Sequence, residues 1–302
     1  YLDKNYSKVA TVFITTLLGF SPDIIKIKAL ERKYPSIKFA MDNCEATLSD
    51  CHEFSEKGDN VSQFFTSTTS TYFGHQVQSI EGGFVFTNSL EEYVYFLMGR
   101  NHGMTRSLIN YENIIGKADT QEYLERRKNP LVDSRFDFYM LGNNFRNSEA
   151  NAFIGLLDLK RASLYKNVRS YLYSVFKRRI NKNLFIIPED YKKAINGSCS
   201  VPFSLPIIFN PSYFKGNKVK NECINKLEEV LRVETRPIIS GNLLRQTAYK
   251  NYGVPEKFTS AEVLHNHGLY AGLHSSVTEE QVIELANFLN DLAEDHIDMT
   301  LI

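Results

Sequence analysis

The 302-residue chain balances 35 basic against 35 acidic side chains, so it lacks the long-range positive field expected of a nucleic-acid binder. Its hydrophobic fraction of 43%, with 13% aromatic residues, is enough for large buried cores, and the length suggests ~2 domains. The longest apolar run, Val9 to Phe20, is broken by threonines and too short to span a bilayer, and the first residues lack a signal-peptide layout, so no membrane partner is expected.

In chain order, Val9 to Gly19 reads as a strand, followed by a helix over Ser21 to Lys33 that starts at Ser21-Pro22-Asp23 and turns Ile24, Ile25, Ile27 and Leu30 inward. Ile37 to Met41 reads as a short buried strand delivering Asp42-Asn43-Cys44-Glu45-Ala46 to its carboxyl end, where ligands gather in open α/β sheets. The stretch from Ser70 begins as a β-rich run, turns at Phe73-Gly74, presents His75, and closes on Gly82-Gly83 before the strand Phe84-Val85-Phe86. Ser89 to Gly99 reads as a helix with an acidic first turn.

Residues 116–134 are polar and turn-rich, which suits an active-site loop or an inter-domain connection. Ser148 to Ile180 makes one long helix or two consecutive ones. Its basic run Lys177-Arg178-Arg179, with Lys182, sits among Tyr173, Val175, Phe176 and Ile180 and reads as a solvated helix face. Beyond it, a strand in Val201 to Phe209, a helix over Lys218 to Leu231 and a strand near Pro237 are expected. Helices over Ser260 to His267 and Thr278 to Leu292 complete a smaller α+β unit. The four cysteines (Cys44, Cys51, Cys199, Cys223) are scattered, fit no zinc pattern or disulfide framework, and read as reduced, buried thiols of a cytoplasmic protein.

By themselves the polar residues are ordinary: His75 reads as a structural hydrogen-bonder and Asp42 as a strand-end turn former. Their order is more telling: strand, acid, strand, histidine, glycine pair. In this order and spacing the chain resembles the DegT/StrS sugar aminotransferase family, whose members carry Asp-x-x-x-Ala and then a lysine ahead of a Gly-Gly or Glu-Gly-Gly segment. Arg100-Asn101-His102-Gly103 is similar to the family's Arg-x-His-Gly. Leu141 to Arg146, followed by Glu149-Ala150-Asn151-Ala152 and Gly155-Leu156, is similar to the segment that opens its long helix. In Gly142-Asn143-Asn144 an asparagine stands where the family usually has tyrosine. Val233 to Pro237 and Gly241 to Gln246 resemble the sugar 3-dehydratase branch, which also replaces the lysine by histidine.

The resemblance implies a fold type I, aminotransferase-like α/β protein with a mixed, mostly parallel sheet flanked by helices. Residues 1–150 are then a partial large domain, and residues 151–302 a long connecting helix with a smaller C-terminal α+β domain. The N-terminal portion of the family's large domain is expected to be absent. That portion carries a Gly/Ser-rich turn at a helix N-terminus, the kind of site whose free N–H groups hold phosphate, and residues 1–50 contain no such turn.

The resemblance further implies pyridoxal 5'-phosphate or pyridoxamine 5'-phosphate as cofactor. Asp42 matches the acid against the ring nitrogen, which makes the ring an electron sink. Glu45 matches a position near the ring face, Ser70 a serine on the cofactor phosphate, and Asn144 an asparagine reaching the phosphate of the other subunit, hence a homodimer. Imidazole cannot form the Schiff base that a lysine forms, yet it can take a proton near neutral pH. In the dehydratase branch such a histidine, here His75, removes a proton from the cofactor methylene while the C3 hydroxyl of a nucleotide-linked 4-keto-6-deoxyhexose departs, a step of cell-surface polysaccharide synthesis.

No cysteine spacing suits an iron–sulfur cluster, so L-glutamate is the expected amino donor. Arg236 and Arg245 are candidates for gripping a carboxylate or the sugar diphosphate, or they form ion pairs. His265, His267 and His274 are expected to line the cleft or bond loops, without a metal. Two other readings stay open: a nucleotide-sugar aminotransferase, and a non-catalytic homologue serving as partner or scaffold.

Overall fold

The computed structural model describes residues 1–51, 59–111, 116, 120–122, 124–125, 131–188 and 200–297. A four-stranded sheet organises the first half, in the order β1 (Thr11–Thr15), β2 (Lys38–Asp42), β5 (Thr66–Ser70), β6 (Gly83–Phe86). Between β2 and β5 a short antiparallel pair, β3 (Asp50–Cys51) and β4 (Asp59–Asn60), forms a separate ribbon. β1, β2 and β5 run parallel and β6 returns antiparallel to β5. Parallel strands need crossovers, and the helix Ile24–Lys33 supplies the first one.

That helix begins three residues later than its sequence suggests. Pro22 steers Ser21 away from helical backbone, and Asp23 becomes the cap, its carboxylate accepting the Lys26 N–H at 3.0 Å. Of the four apolar residues expected to face inward, Ile24 is buried, whereas Ile25 and Leu30 are exposed. The helix presents a narrow stripe to the sheet, and at 100° per residue Ile25 falls outside it. Ile24, Ile37, Phe39, Met41, Val61 and Phe65 make the core beneath this layer. The expected strand from Val9 keeps only Thr11–Thr15, because Leu17–Gly19 turns tightly with Leu18 at φ 52° and Gly19 at φ 87°.

The helix Leu90–Gly99 starts at Ser89, whose hydroxyl accepts the Glu92 N–H. Residues 116–134, expected to form a loop, include helical backbone at 120–122 and 124–125, whereas 117–119, 123 and 126–130, like Cys199, lie outside the described residues. Ser148 to Ile180 is two helices, Glu149–Leu159 and Ala162–Arg179, and the basic run at the end of the second faces solvent at Arg178 and Arg179.

The smaller unit is a three-stranded antiparallel sheet, β7 (Ser204–Ile208), β9 (Gly268–Gly272) and β8 (Thr235–Pro237), in that spatial order. Its central strand β9 is not foreseen by the sequence, because glycines at both ends disguise it, yet Leu269 and Ala271 are fully buried. The helices Lys218–Lys226, Thr259–His267 and Glu279–Glu294 accompany it, the first continuing as a π-turn that ends with Arg232 in left-handed backbone. Phe176, Phe185, Phe209, Leu205, Leu227 and Leu289 anchor the largest core. Leu18 packs with Ile208 and Ile238, so the turn after β1 belongs structurally to the smaller unit.

Candidate active site

Asp42 is the last residue of β2, in register with Thr15 of β1 and Thr68 of β5, and thus stands at the carboxyl end of the parallel strands. Beyond it the chain turns, because the Asp42 carboxylate accepts the Cys44 N–H at 3.1 Å. Buried Asn43 clamps the turn: its amide oxygen accepts the Thr16 hydroxyl at 2.9 Å, and its amide nitrogen donates to Ser62 at 2.7 Å. The Cys44 carbonyl is left facing His75, with Nδ1 at 2.8 Å.

A carbonyl can only accept, so the proton of neutral His75 resides on Nδ1 and Nε2 keeps its lone pair. Burial lowers the His75 pKa, opposed by the Cys44 carbonyl and the Asp42 carboxylate. Half-buried and uncharged at neutral pH, the ring has the tautomer and protonation state of a base. Burial, then the Asp42 carboxylate, push the Cys44 thiol up to about 12, so it remains an unreactive thiol.

Glu45 turns the other way. Its carboxylate accepts the Leu18 N–H at 2.7 Å, which supports the left-handed backbone there. Burial raises its pKa, the Leu18 bond opposes, and Asp42 adds to the rise. The Leu18 carbonyl in turn accepts the Phe203 N–H at 2.8 Å. Phe203 packs on His75 with ring centroids 5.5 Å apart, and on Tyr270 of β9 at 6.4 Å; Tyr72 flanks His75 at 6.2 Å. Aromatic walls from both units therefore meet at the histidine.

The other sequence-predicted residues divide. Ser70 ends β5 on the same side of the sheet as Asp42, half-buried, its hydroxyl accepting the Tyr72 N–H at 3.2 Å. Arg236 stands opposite Tyr270 on the β8–β9 ladder, one ring removed from Phe203, and bonds Glu234 at 3.1 Å. Arg245 lies in a separate cluster, bidentate on Glu262 at 2.8 and 2.5 Å and bonded to Glu256 at 3.0 Å. It holds the Glu262 carboxyl down at about 2. Asn144 is exposed, bridged to Asn101, with its amide oxygen accepting from Arg146 at 2.9 Å.

His265 accepts the Asn242 N–H, His274 lies 3.0 Å from the Ser276 hydroxyl, and His267 is buried. Among the described residues no group of three His, Cys, Asp or Glu could hold a metal. Phe203, Tyr270 and Gln76 escaped the sequence reading. Gln76 carried a signal, since it adjoins His75; the other two lie more than 120 residues downstream, and only the fold brings them near.

The donor set suits a pyridoxal-type cofactor. Among the described residues no lysine or arginine pairs with Asp42, which leaves its carboxylate open to a ring N–H, and the groups acting on His75 include no lysine.

A mostly parallel sheet that delivers an acid and a histidine from its carboxyl end toward a small α+β unit defines a fold type I, aminotransferase-like protein. The chain belongs to the DegT/DnrJ/EryC1/StrS aminotransferase family, which it matches over residues 6–290. It is 28% identical over 287 residues to the GDP-4-keto-6-deoxy-D-mannose 3-dehydratase of Yersinia pseudotuberculosis, covering 93% of this chain and 67% of that protein. It is 25% identical over 281 residues to the lipopolysaccharide biosynthesis protein RfbH of Salmonella typhimurium, covering 91% of this chain and 61% of that one. The chain thus spans about two thirds or less of these relatives. A solved GDP-4-keto-6-deoxymannose-3-dehydratase with a trapped PLP-glutamate geminal diamine superposes with a TM-score of 0.76 at 21% identity, covering 96% of this chain and 71% of that one. No helix of the described residues is long and apolar enough to cross a membrane.

Proposed function

We propose that this chain carries out the chemistry of a nucleotide-sugar 3-dehydratase, removing the C3 hydroxyl of a nucleotide-linked 4-keto-6-deoxyhexose for cell-surface polysaccharide synthesis. The observation that carries the reading is His75, held by the Cys44 carbonyl with Nε2 free, where a transaminase of this fold needs a lysine. Pyridoxamine phosphate, when bound, supplies an amine for the sugar ketone and a ring that accepts electrons once its nitrogen is protonated. Asp42 holds that nitrogen's proton. His75 takes a proton at Nε2 and returns it when the hydroxyl leaves as water. Phe203 and Tyr72 exclude bulk water from the histidine, and Ser70 contributes a hydroxyl to the phosphate. Arg236, close to Tyr270, is the better placed of the two arginines for the sugar diphosphate; Arg245 serves its own cluster.

L-glutamate recharges the amine, a reading supported by the glutamate adduct in the similar solved dehydratase. Asn144 acts on the phosphate of a second copy. Exposed Phe138, Leu141, Phe145, Phe153 and Leu156 support a homodimer, because so many large apolar side chains left open to solvent between residues 138 and 156 suit burial against a second copy. The division into a large unit over 1–150 and a smaller one over 151–302 is kept, with residues 16–20 docked on the smaller core. The free thiols of Cys44 and Cys223, with a nucleotide-linked substrate, support a cytoplasmic setting.

The test is an absorbance titration with both cofactor forms, followed by borohydride reduction, peptide mapping and product mass after incubation with the keto-sugar. The expected result is cofactor binding without a reduced lysine adduct, conversion of the aldehyde form by L-glutamate, and loss of water from the sugar. A lysine adduct and an aminated sugar would replace this reading with the aminotransferase one.

A further inference from the structure

The segment Ser200 to Phe203, just before β7, is tied to the first half of the chain along its length. Ser200 Oγ accepts the Ser21 N–H at 2.8 Å, and the Val201 N–H donates to Ser49 Oγ at 2.9 Å. The Val201 carbonyl accepts from Gln76 Nε2 at 2.6 Å, and the Phe203 N–H donates to the Leu18 carbonyl at 2.8 Å. Next come the carbonyls of Pro202 and Phe203. They precede the β7–β9 ladder, which starts at Ser204, and so have no strand partner there.

Arg169, in the helix Ala162–Arg179, takes both of them, its Nη1 at 3.4 Å from the Pro202 oxygen and 2.7 Å from the Phe203 oxygen. This arginine is only 5% exposed, and among the described residues no carboxylate pairs with it. Its buried Nε has no hydrogen-bond partner, and burial lowers its pKa to about 10. A buried guanidinium without a counter-ion is costly, and a neutral side chain would fill the space more cheaply. Natural sequences keep such violations where function constrains them. The constraint is visible at the residue it bonds, because Phe203 is the aromatic wall against His75.

We infer that Arg169 is a positioning residue of the site: by fixing the Pro202 and Phe203 carbonyls it seats the Phe203 ring against His75. The inference rests on the proposed role of His75. It couples the connecting helix to the base across a distance at which Arg169 itself touches no reacting group. The groups facing His75 are the Asp42 carboxylate and Cys44 carbonyl from the end of β2, the Tyr72 ring from its own loop, and Phe203. Only the last depends on Arg169.

The test is the pKa of His75 followed by histidine-selective NMR on the whole chain, its signal assigned with His75→Asn and folding checked by circular dichroism. Phe203→Ala is expected to let water reach the ring and raise the pKa toward the free imidazole value of about 6.5. Arg169→Met is expected to raise it in the same direction, and Phe203→Ala combined with Arg169→Met to add nothing beyond the larger single shift. Arg169→Lys, which can hold one carbonyl, should restore part of the wild-type value. If Arg169→Met does not fold, Arg169→Gln takes its place. A folded variant that leaves the His75 pKa unchanged overturns the assignment, as does an unchanged pKa in Phe203→Ala. The readout needs no turnover, so a wild-type protein that fails to dehydrate any keto-sugar would remove the proposed function and leave this coupling standing.

Discussion

The Nδ1 atom of His75 lies 2.8 Å from the carbonyl oxygen of Cys44, a bond across 31 residues of sequence that decides which ring nitrogen is basic. Because the carbonyl belongs to the turn that Asp42 starts, acid and base are oriented by the same few residues. Replacing His75 by asparagine removes the base and keeps a polar group of similar reach. The expected outcome is a fall in dehydration rate of roughly 10²–10⁴-fold with cofactor binding retained. Steady-state assays alongside the absorbance titration check it; a variant at full rate excludes His75 as the base.

The same histidine sets an acid limb. Its folded pKa is lowered by burial, so the ring stays neutral below the pH at which free imidazole takes a proton. Activity that needs neutral His75 should therefore hold through pH about 6.5 and fall only at lower pH. The stability contribution has the same sign: fully present above the unfolded pKa, it is lost as pH falls toward the folded value. A rate profile whose acid limb lies above pH about 6.5 would contradict this placement.

Glu45 offers the opposite case. Burial raises its folded pKa, so above the unfolded value, about 4.3, the fold carries a charge it disfavours. That penalty is absent at lower pH and grows as pH rises toward the folded pKa. Glu45→Gln, uncharged throughout, should unfold at the wild-type temperature near pH 4 and at the same or a higher temperature near pH 7. A deficit confined to pH 7 would instead mean that the Leu18 N–H needs a charged acceptor.

Gly19 stands where the turn after β1 meets the segment before β7. At φ 87°, a Cβ there would sit 2.2 Å from the Val201 carbonyl oxygen and 2.7 Å from the Phe203 nitrogen. Gly19→Ala should cost about 1–2 kcal/mol for left-handed backbone alone, with the overlap adding to it. Urea unfolding measures the loss, and a cost under 1 kcal/mol would show that Ser200 to Phe203 can shift freely.

Much of this was legible in the sequence because it is local. The order acid, histidine, glycine pair is written between residues 42 and 83 in the order the strands use it, and Asp42 and His75 do stand together. Helices announced by caps, such as Ser89 and Thr278, begin where expected. The helix after Pro22 starts late because two local rules compete there and the cap wins. Strand β9 was missed because its glycines mimic a loop, and the burial of Leu269 and Ala271 between its two neighbouring strands is a tertiary fact. Phe203, Tyr270 and Arg169 were missed for the same reason: nothing near them in sequence records that they approach residue 75.

Asn144 tests the proposed assembly most directly. It is exposed on its own chain, and no described contact joins it to Asp42 or His75. In a homodimer with shared sites, a mixture of His75→Asn and Asn144→Ala chains forms heterodimers in which one site receives both lesions and the other neither. After subunit exchange of equal amounts, half the dimers are mixed and half of their sites are intact, so about a quarter of the wild-type rate should return from two inactive proteins. If both residues serve the same protomer, every site in the mixture carries a lesion and no activity returns. Leu141→Asp, placed at the most exposed apolar side chain of this surface, should shift the mass measured by light scattering to that of a monomer and abolish the recovery. A Leu141→Asp protein that stays dimeric would move the interface away from this surface, whatever the complementation result.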